Sequence, residues 1–256
     1  MKKDSRVKNI ICYTNYSKQP ECIYNVCLLE IGETDMNEKI ENKKILIFTG
    51  GMIDLVWARK WFETKQFDYV IAADKGLLYA DELNCKVDYI LGDYDSVNKD
   101  LLEKYRGMNV EIITFPCEKD YTDTHLAIET AIEKGASQIT ILGATGSRMD
   151  HTMSNIQNMK MALHTQIPCY IINEFNKIYL ADHCVVIKKS EQFGNYVSLI
   201  PLSESVTGLT LSGFYYPLKN ALMYQGLSVG ISNEIVEEEG TIEFDDGILI
   251  VFETKD

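Results

Sequence analysis

From Lys44 onward, short apolar runs alternate with longer stretches in which apolar residues recur every three or four positions. Residues 45–49 (ILIFT) form one such run, stopped by Gly50-Gly51, as expected of a strand covered on both faces. The next segment, MIDLVWARKWFETK, sets Ile53, Val56, Trp57 and Trp61 at helical spacing, with both tryptophans reading as core. Further strands are predicted at 69–73, 89–91, 110–114, 139–142 and 169–173. Helices are predicted at 75–83, 122–134 and 150–164, and Gly135 ends the second of these. Strands and helices alternating at this spacing imply βαβ crossovers and a mainly parallel sheet flanked by helices, a Rossmann-like α/β layout.

After Glu174 the texture changes. Runs at 177–181, 184–188, 196–200, 208–212, 227–231, 241–244 and 248–252 are short and β-rich, with Gly, Asn, Ser and Asp between them. This reads as an all-β sandwich following the α/β part. The expected division is 1–43, an N-terminal extension of unassigned role; 44–174, an α/β domain; and 175–256, a β-sandwich. Within 1–43, runs at 10–13 and 24–31 read as strands. That segment is open to being an upstream start, an extra strand or a dimer-contacting arm.

Twenty-five basic residues against 38 acidic ones leave a net charge of −13, which argues against a nucleic-acid partner because that requires a basic footprint. The N-terminus has no apolar leader, and no apolar run approaches the roughly 20 residues of a membrane span. Seven cysteines without a CxxC pair read as reduced thiols, mostly buried. These features together place the chain in the cytoplasm. An acidic protein that handles phosphate must supply a local cation or metal.

Neither GxGxxG nor GxxxxGK[ST] is present, which disfavours a Rossmann dehydrogenase and a P-loop kinase. Instead, acids follow the predicted strands. Asp74 follows YVIAA; Asp93 and Asp95 follow YILG; Lys119, Asp120, Thr122 and Asp123 follow VEIITFP; Arg148, Asp150 and His151 follow ILGATGS. Ligands of open parallel sheets bind at the carboxyl ends of strands, so four clusters converge on one edge. Asp93 and Asp95 are spaced to aim two carboxylates at one point. Two such charges about 4 Å apart repel by roughly 4 kcal/mol at an effective dielectric near 20. A hard cation such as Mg²⁺ relieves that repulsion, typically through one or two carboxylates plus substrate phosphates. Lys119 and Arg148 add positive charge, and Gly50-Gly51 offers backbone N–H groups to a phosphate. His151 gains a functional reading from Arg148 and Asp150; His125, His164 and His183 read as structural. In the β-rich part, GFYYPL (213–218) and GISNE (230–234) stand out, the tyrosine pair reading either as core and turn or as an aromatic platform.

Taken in order, TGG (49–51), AADKG (72–76), GDYDS (92–96), KDYTD (119–123), GATGSRMDH (143–151) with Asn155, GFYYPL and GISNE resemble the bacterial type of the thiamine pyrophosphokinase family, over about residues 45–252. The resemblance implies an α/β catalytic domain followed by a thiamine-binding β-sandwich. It also implies transfer of the pyrophosphoryl group of ATP to thiamine, giving AMP and thiamine diphosphate with Mg²⁺, in a homodimer whose sites use both subunits. By similarity, Asp93, Asp95 and Asp123 hold Mg²⁺ and phosphates, Asp74 lines the same site, and Asp93 or Asp123 accepts the hydroxyl proton. Gly50, Gly51, Lys119, Asp120, Thr122 and Arg148 fall to ATP. Asp150, His151, Asn155, Tyr216, Ser232 and Asn233 fall to thiamine. Two departures stand out: Ser147 occupies a position where the family has Gly, and AADKG sets Lys75 beside Asp74. The acids alone also fit another metal-dependent phosphotransferase or nucleotide hydrolase, or a non-catalytic thiamine or nucleotide sensor.

Overall fold

A computed structural model describes residues 42–93, 99–108, 110–114 and 121–256. The strands expected at 10–13 and 24–31 lie outside these residues. Strands β1 (Lys43–Phe48), β2 (Tyr69–Ala73), β3 (Tyr89–Gly92), β4 (Glu111–Thr114), β5 (Ala136–Leu142) and β6 (Cys169–Ile172) run parallel in the order β4-β3-β2-β1-β5-β6. Between them lie helices α1 (Leu55–Phe62), α2 (Gly76–Glu82), α3 (Lys99–Arg106), α4 (Asp123–Glu133), α5 (Met149–Asn158) and α6 (Lys160–His164).

Both faces of this sheet are covered, which is why β1 reads as a continuous apolar run. Ile45 and Ile47 pack with Ala127, Ile128 and Ala131 of α4 on one face. Leu46 and Phe48 pack with Leu77 and Ala80 of α2 and Tyr105 of α3 on the other. All four strand residues are fully buried. Trp57 and Trp61 stack on each other against that second core, as expected. Asp54 caps α1 by accepting the Trp57 N–H at 2.7 Å, which delays the helix until residue 55. The helix expected over 150–164 is split at buried Met159 into α5 and α6. Helix α3 carries an apolar stripe too short to stand out among its charges, with Leu102 and Tyr105 buried.

The sheet does not stop at the expected boundary. The turn at 173–175 folds β7 (Asn176–Ala181) antiparallel onto β6. Beyond it, β13 (Leu249–Thr254) and β9 (Tyr196–Pro201) complete one nine-stranded sheet. A second sheet holds β8 (Val185–Lys188), β10 (Ser205–Ser212), β11 (Leu218–Tyr224) and β12 (Glu239–Glu243) in the order β11-β10-β12-β8. Ile187, Leu209, Leu211 and Ile242 from it share a core with Val197, Leu199, Leu249 and Val251 from the antiparallel end of the large sheet. The sandwich is therefore built partly on the sheet of the α/β part, and the described residues form one compact unit. The strand expected at 227–231 is not formed. Leu227 and Val229, between the left-handed Gly226 and Gly230, and Ile231 just after them are exposed, and the ladder is made by β11 instead.

Glu253 on β13 is 1 % exposed. It accepts from Lys177 Nζ at 2.7 Å and from the Phe193 N–H at 2.7 Å. Burial, reinforced by Glu253, pushes the Tyr179 phenol far above its ordinary range. Of the described cysteines, Cys169 is buried, Cys85 half-buried and Cys184 exposed, all as free thiols. No described helix is long and apolar enough to cross a membrane.

Candidate active site

The sheet order reverses at β1, whose neighbours are β2 on one side and β5 on the other. Such a switch point opens a crevice at the carboxyl ends of the strands. Here the loops after β1 and β5 are stitched together. The Gly51 N–H donates to Gly143 O at 2.7 Å, the Met52 N–H to Thr145 O at 2.7 Å, and Thr49 Oγ1 to Gly143 O at 2.6 Å. Tyr79 Oη donates to Gly51 O at 2.8 Å. A Cβ on Gly51 would lie 2.2 Å from Gly143 O and 2.4 Å from Thr145 O, so only glycine permits this approach. The N–H of Gly51 is thereby committed to Gly143.

A cleft of about 680 Å³ opens over these loops. Of the residues singled out in the sequence, it brings together Gly50, Gly51, Asp74, Asp93, Thr122, Asp123, Arg148, His151 and Asn155. Asp95, Lys119 and Asp120 lie outside the described residues. Asp74 sits in the left-handed region (φ 49°), and its N–H donates to Leu91 O at 2.9 Å, tying the end of β2 to β3. Thr122 caps α4 by accepting the His125 N–H at 3.2 Å, which sets Asp123 in the first helical turn, where the helix dipole favours a carboxylate. Among the described residues, no three acidic, His or Cys side chains gather tightly enough to hold a metal ion unaided. The donor set at the cleft is nevertheless hard oxygen, suited to a cation that keeps water or phosphate oxygens as further ligands.

Arg148 is held by Asp150 through Nη2–Oδ2 at 2.6 Å and Nε–Oδ1 at 3.2 Å. Hydrogen bonding to Arg148 holds the Asp150 carboxyl down at about 2 and raises the guanidinium in turn. Asp150 does not itself line the cleft; it orients the arginine that does. Ser147 keeps clear of positive φ. Asn155 is buried, and its Nδ2 donates to Ala144 O at 2.8 Å, bracing the loop after β5.

Tyr216, Ser232 and Asn233 form a separate group on the β-rich part and do not line the cleft. Tyr215 and Tyr216 meet edge to face at 4.8 Å, both 64 % exposed. Ser232 has φ 55°, with its N–H on Ser198 Oγ. Asn233 is buried, and its side chain is spent on the backbone of Tyr216 and Glu234.

Sequence reasoning passed over several residues of the cleft. Thr49 and Tyr79 hold its floor, and Tyr121 stacks on His125 with ring centres 4.4 Å apart while remaining 56 % exposed. The KDYTD motif carried the signal for Tyr121, an aromatic between two acids that a buried role would not explain.

Residues 62–171 match the family model described as thiamin pyrophosphokinase, catalytic domain, and residues 182–249 match its vitamin B1 binding domain. The thiamine pyrophosphokinase of Bacillus subtilis is 32 % identical over 214 residues, covering 84 % of this chain and all of that protein. The chain belongs to the thiamine pyrophosphokinase family. The crystal structure of the Bacillus subtilis enzyme superposes with a TM-score of 0.75 at 33 % identity, covering 84 % of this chain and all of that one. That of Geobacillus thermodenitrificans gives 0.72 at 28 %, over 83 % and 98 %. The family's catalytic and vitamin-binding models thus fall on the portions that carry the cleft and the Tyr216 group, respectively.

Proposed function

We propose that this protein transfers the pyrophosphoryl group of ATP to the hydroxyl of thiamine, releasing AMP and thiamine diphosphate, with Mg²⁺ as the cation, and that it does so in the cytoplasm. The thiamine hydroxyl oxygen bonds to the β-phosphorus, and the bond from that phosphorus to the α–β bridging oxygen breaks. AMP leaves with the bridging oxygen, and a carboxylate, Asp93 or Asp123, takes the hydroxyl proton. The observation that carries this reading is the cleft itself. Carboxylates just after β2 and β3 and on α4 line it together with Arg148 and the glycine loop at the switch point, in a chain whose two portions match the catalytic and vitamin-binding halves of one family.

Such transfer is achieved by positioning and charge neutralisation rather than by covalent chemistry of the protein. Asp93, Asp95 and Asp123 would hold the cation, and Asp74 would line the same site. The cation would neutralise phosphate charge and let a polyanion enter an acidic cleft. Arg148 and Lys119 would bind phosphate, with Gly50 and Gly51 shaping the loop beneath it and Asp120 and Thr122 flanking the nucleotide. Asp150 would aim Arg148, and His151 and Asn155 would border the thiamine. Tyr216 would lie against the thiamine rings, with Ser232 and Asn233 beside it. Because the Tyr216 group does not line the cleft of its own chain, the reading includes a homodimer in which each subunit's tyrosine serves its neighbour's cleft.

Incubation with ATP, MgCl₂ and thiamine, followed by product identification, tests the reaction. AMP with thiamine diphosphate is expected. ADP with thiamine monophosphate, or no thiamine product, would sink it.

A further inference from the structure

The geometry points to Lys75 as a phosphate-binding residue of this cleft, reserved for the β- and γ-phosphates; the assignment rests on the nucleotide reading above. Lys75 and Arg148 are the lysine and arginine side chains lining the cleft among the described residues. They differ in what they are already doing. The Arg148 fork is engaged by Asp150 at two nitrogens. The Lys75 ammonium makes no ion pair or side-chain hydrogen bond among the described residues, although Asp74 is its immediate neighbour in a cleft that also holds Asp93 and Asp123. Asp74, Asp93 and Asp123 each have interactions of their own, which leaves the Lys75 ammonium available to an incoming anion.

Its position is fixed from both sides. Asp74 turns the chain through a left-handed conformation immediately before it. Gly76 follows it so close to β1 that a Cβ there would lie 2.1 Å from Phe48 O. Between these two constraints, the Lys75 stem passes Gly50: a Cβ built on Gly50 would sit 3.4 Å from Lys75 Cβ and 4.0 Å from Cγ. The lysine therefore stands directly over the glycine loop after β1, and the missing side chain at Gly50 leaves its path clear.

Strand order sets the spacing between the two cations. Lys75 follows β2 and Arg148 follows β5, with β1 between them. Neighbouring strands lie about 4.8 Å apart, so the two anchor points stand roughly 10 Å apart astride the glycine loop. Lys75 is on the side of Asp93 and Asp123, the aspartates that would hold the cation in the reading above. Arg148 is on the other. A lysine, unlike arginine, is a mobile point charge that can follow a phosphate through a reaction.

The test uses the full chain and measures binding of ATP and of AMP in the presence of Mg²⁺ but without thiamine, by calorimetry, for wild type, Lys75→Gln and Lys75→Arg. Lys75→Gln is expected to weaken ATP about tenfold, the size of one charge-assisted hydrogen bond, and AMP less than about twofold. Lys75→Arg should recover most of the ATP affinity. Unchanged ATP affinity in Lys75→Gln overturns the assignment, as does an equal loss for ATP and AMP, which would mark a structural lysine. A wild-type protein that binds no nucleotide overturns it too. A wild-type protein that shows the Lys75-dependent ATP preference but makes no thiamine diphosphate overturns the proposed reaction alone.

Discussion

The side-chain amide of Asn233 brackets the backbone of Tyr216, donating from Nδ2 to the Tyr216 carbonyl at 2.8 Å and accepting the Tyr216 N–H on Oδ1 at 2.9 Å. An exposed tyrosine is thus presented by a buried amide 17 residues later. Asn233→Ala removes both bonds and leaves peptide groups unpaired, which should cost about 1–3 kcal/mol in urea unfolding. It should raise the thiamine KM several-fold while leaving the ATP KM in place. A variant that loses stability but keeps the wild-type thiamine KM would show that the brace serves folding alone.

Gly50 and Gly51 are adjacent yet should respond oppositely to alanine. The new methyl at Gly51 meets two carbonyl oxygens closer than 2.5 Å, whereas at Gly50 the nearest atom is the Lys75 Cβ at 3.4 Å. Gly51→Ala should therefore separate the loops after β1 and β5, cost about 3 kcal/mol or more and abolish turnover. Gly50→Ala should fold normally, with a change below about 1 kcal/mol. Thermal melts of the two variants side by side decide the matter.

Asp93→Asn and Asp123→Asn each remove one negative charge from the cleft without changing its shape. Each should lower kcat by about a hundredfold or more, as expected when one element of transition-state charge stabilisation is lost. Each should also shift the Mg²⁺ concentration for half-maximal rate upward. A variant with wild-type rate at limiting Mg²⁺ would remove that aspartate from the metal's ligands.

The Arg148–Asp150 pair predicts a pH response with a definite sign. Asp150 titrates near 2 in the folded protein against an ordinary 3.8, so its contribution to stability is complete above about 4 and fades as the pH falls toward 2. The pair therefore stays ionised through the neutral range, and the arginine's aim should not vary there. In Arg148→Ala the Asp150 carboxyl should rise from about 2 toward its ordinary 3.8 while the His151 N–H still holds it below that value, measurable by carbon NMR. A value still near 2 would assign the depression to the His151 N–H instead.

Lys177 carries the only cationic hydrogen-bond partner that buried Glu253 shows among the described residues. Lys177→Met would strand a buried carboxylate and should destabilise the chain by about 3–5 kcal/mol. The remaining folded protein should keep its kcat, since neither residue lines the cleft. Loss of turnover in protein shown to be folded would count against that separation.

How much of this was legible depends on the range of the forces involved. Strands such as β1 and β2 are legible because burial on both faces writes an unbroken apolar run. The cleft acids are legible because they directly follow such runs. Strand β11 is hidden because Asn220 adopts φ 49° and the ladder slips beside it, so Leu218, Ala221 and Met223 face inward without a two-residue period. The work of Asn155 and Asn233 is hidden for a different reason. Both bond to backbone carbonyls, of Ala144 and Tyr216, and a carbonyl leaves no trace in the residue type. The sharing of one sheet by both portions is hidden as well, since strand order is a property of pairing rather than of local pattern.

That shared sheet also orders events in time. Strand β13 lies between β7 and β9 but is made after both. On the ribosome, β7 can zip onto β6 as soon as it emerges, yet its far edge stays open until Leu249–Thr254 arrives, and β9 has no partner in the large sheet before then. The buried seat of Glu253 is completed in the same step. The nascent protein therefore carries an adhesive strand edge while residues 182–248 are being made, and a stall or frameshift shortly before residue 249 would leave that edge bare for good.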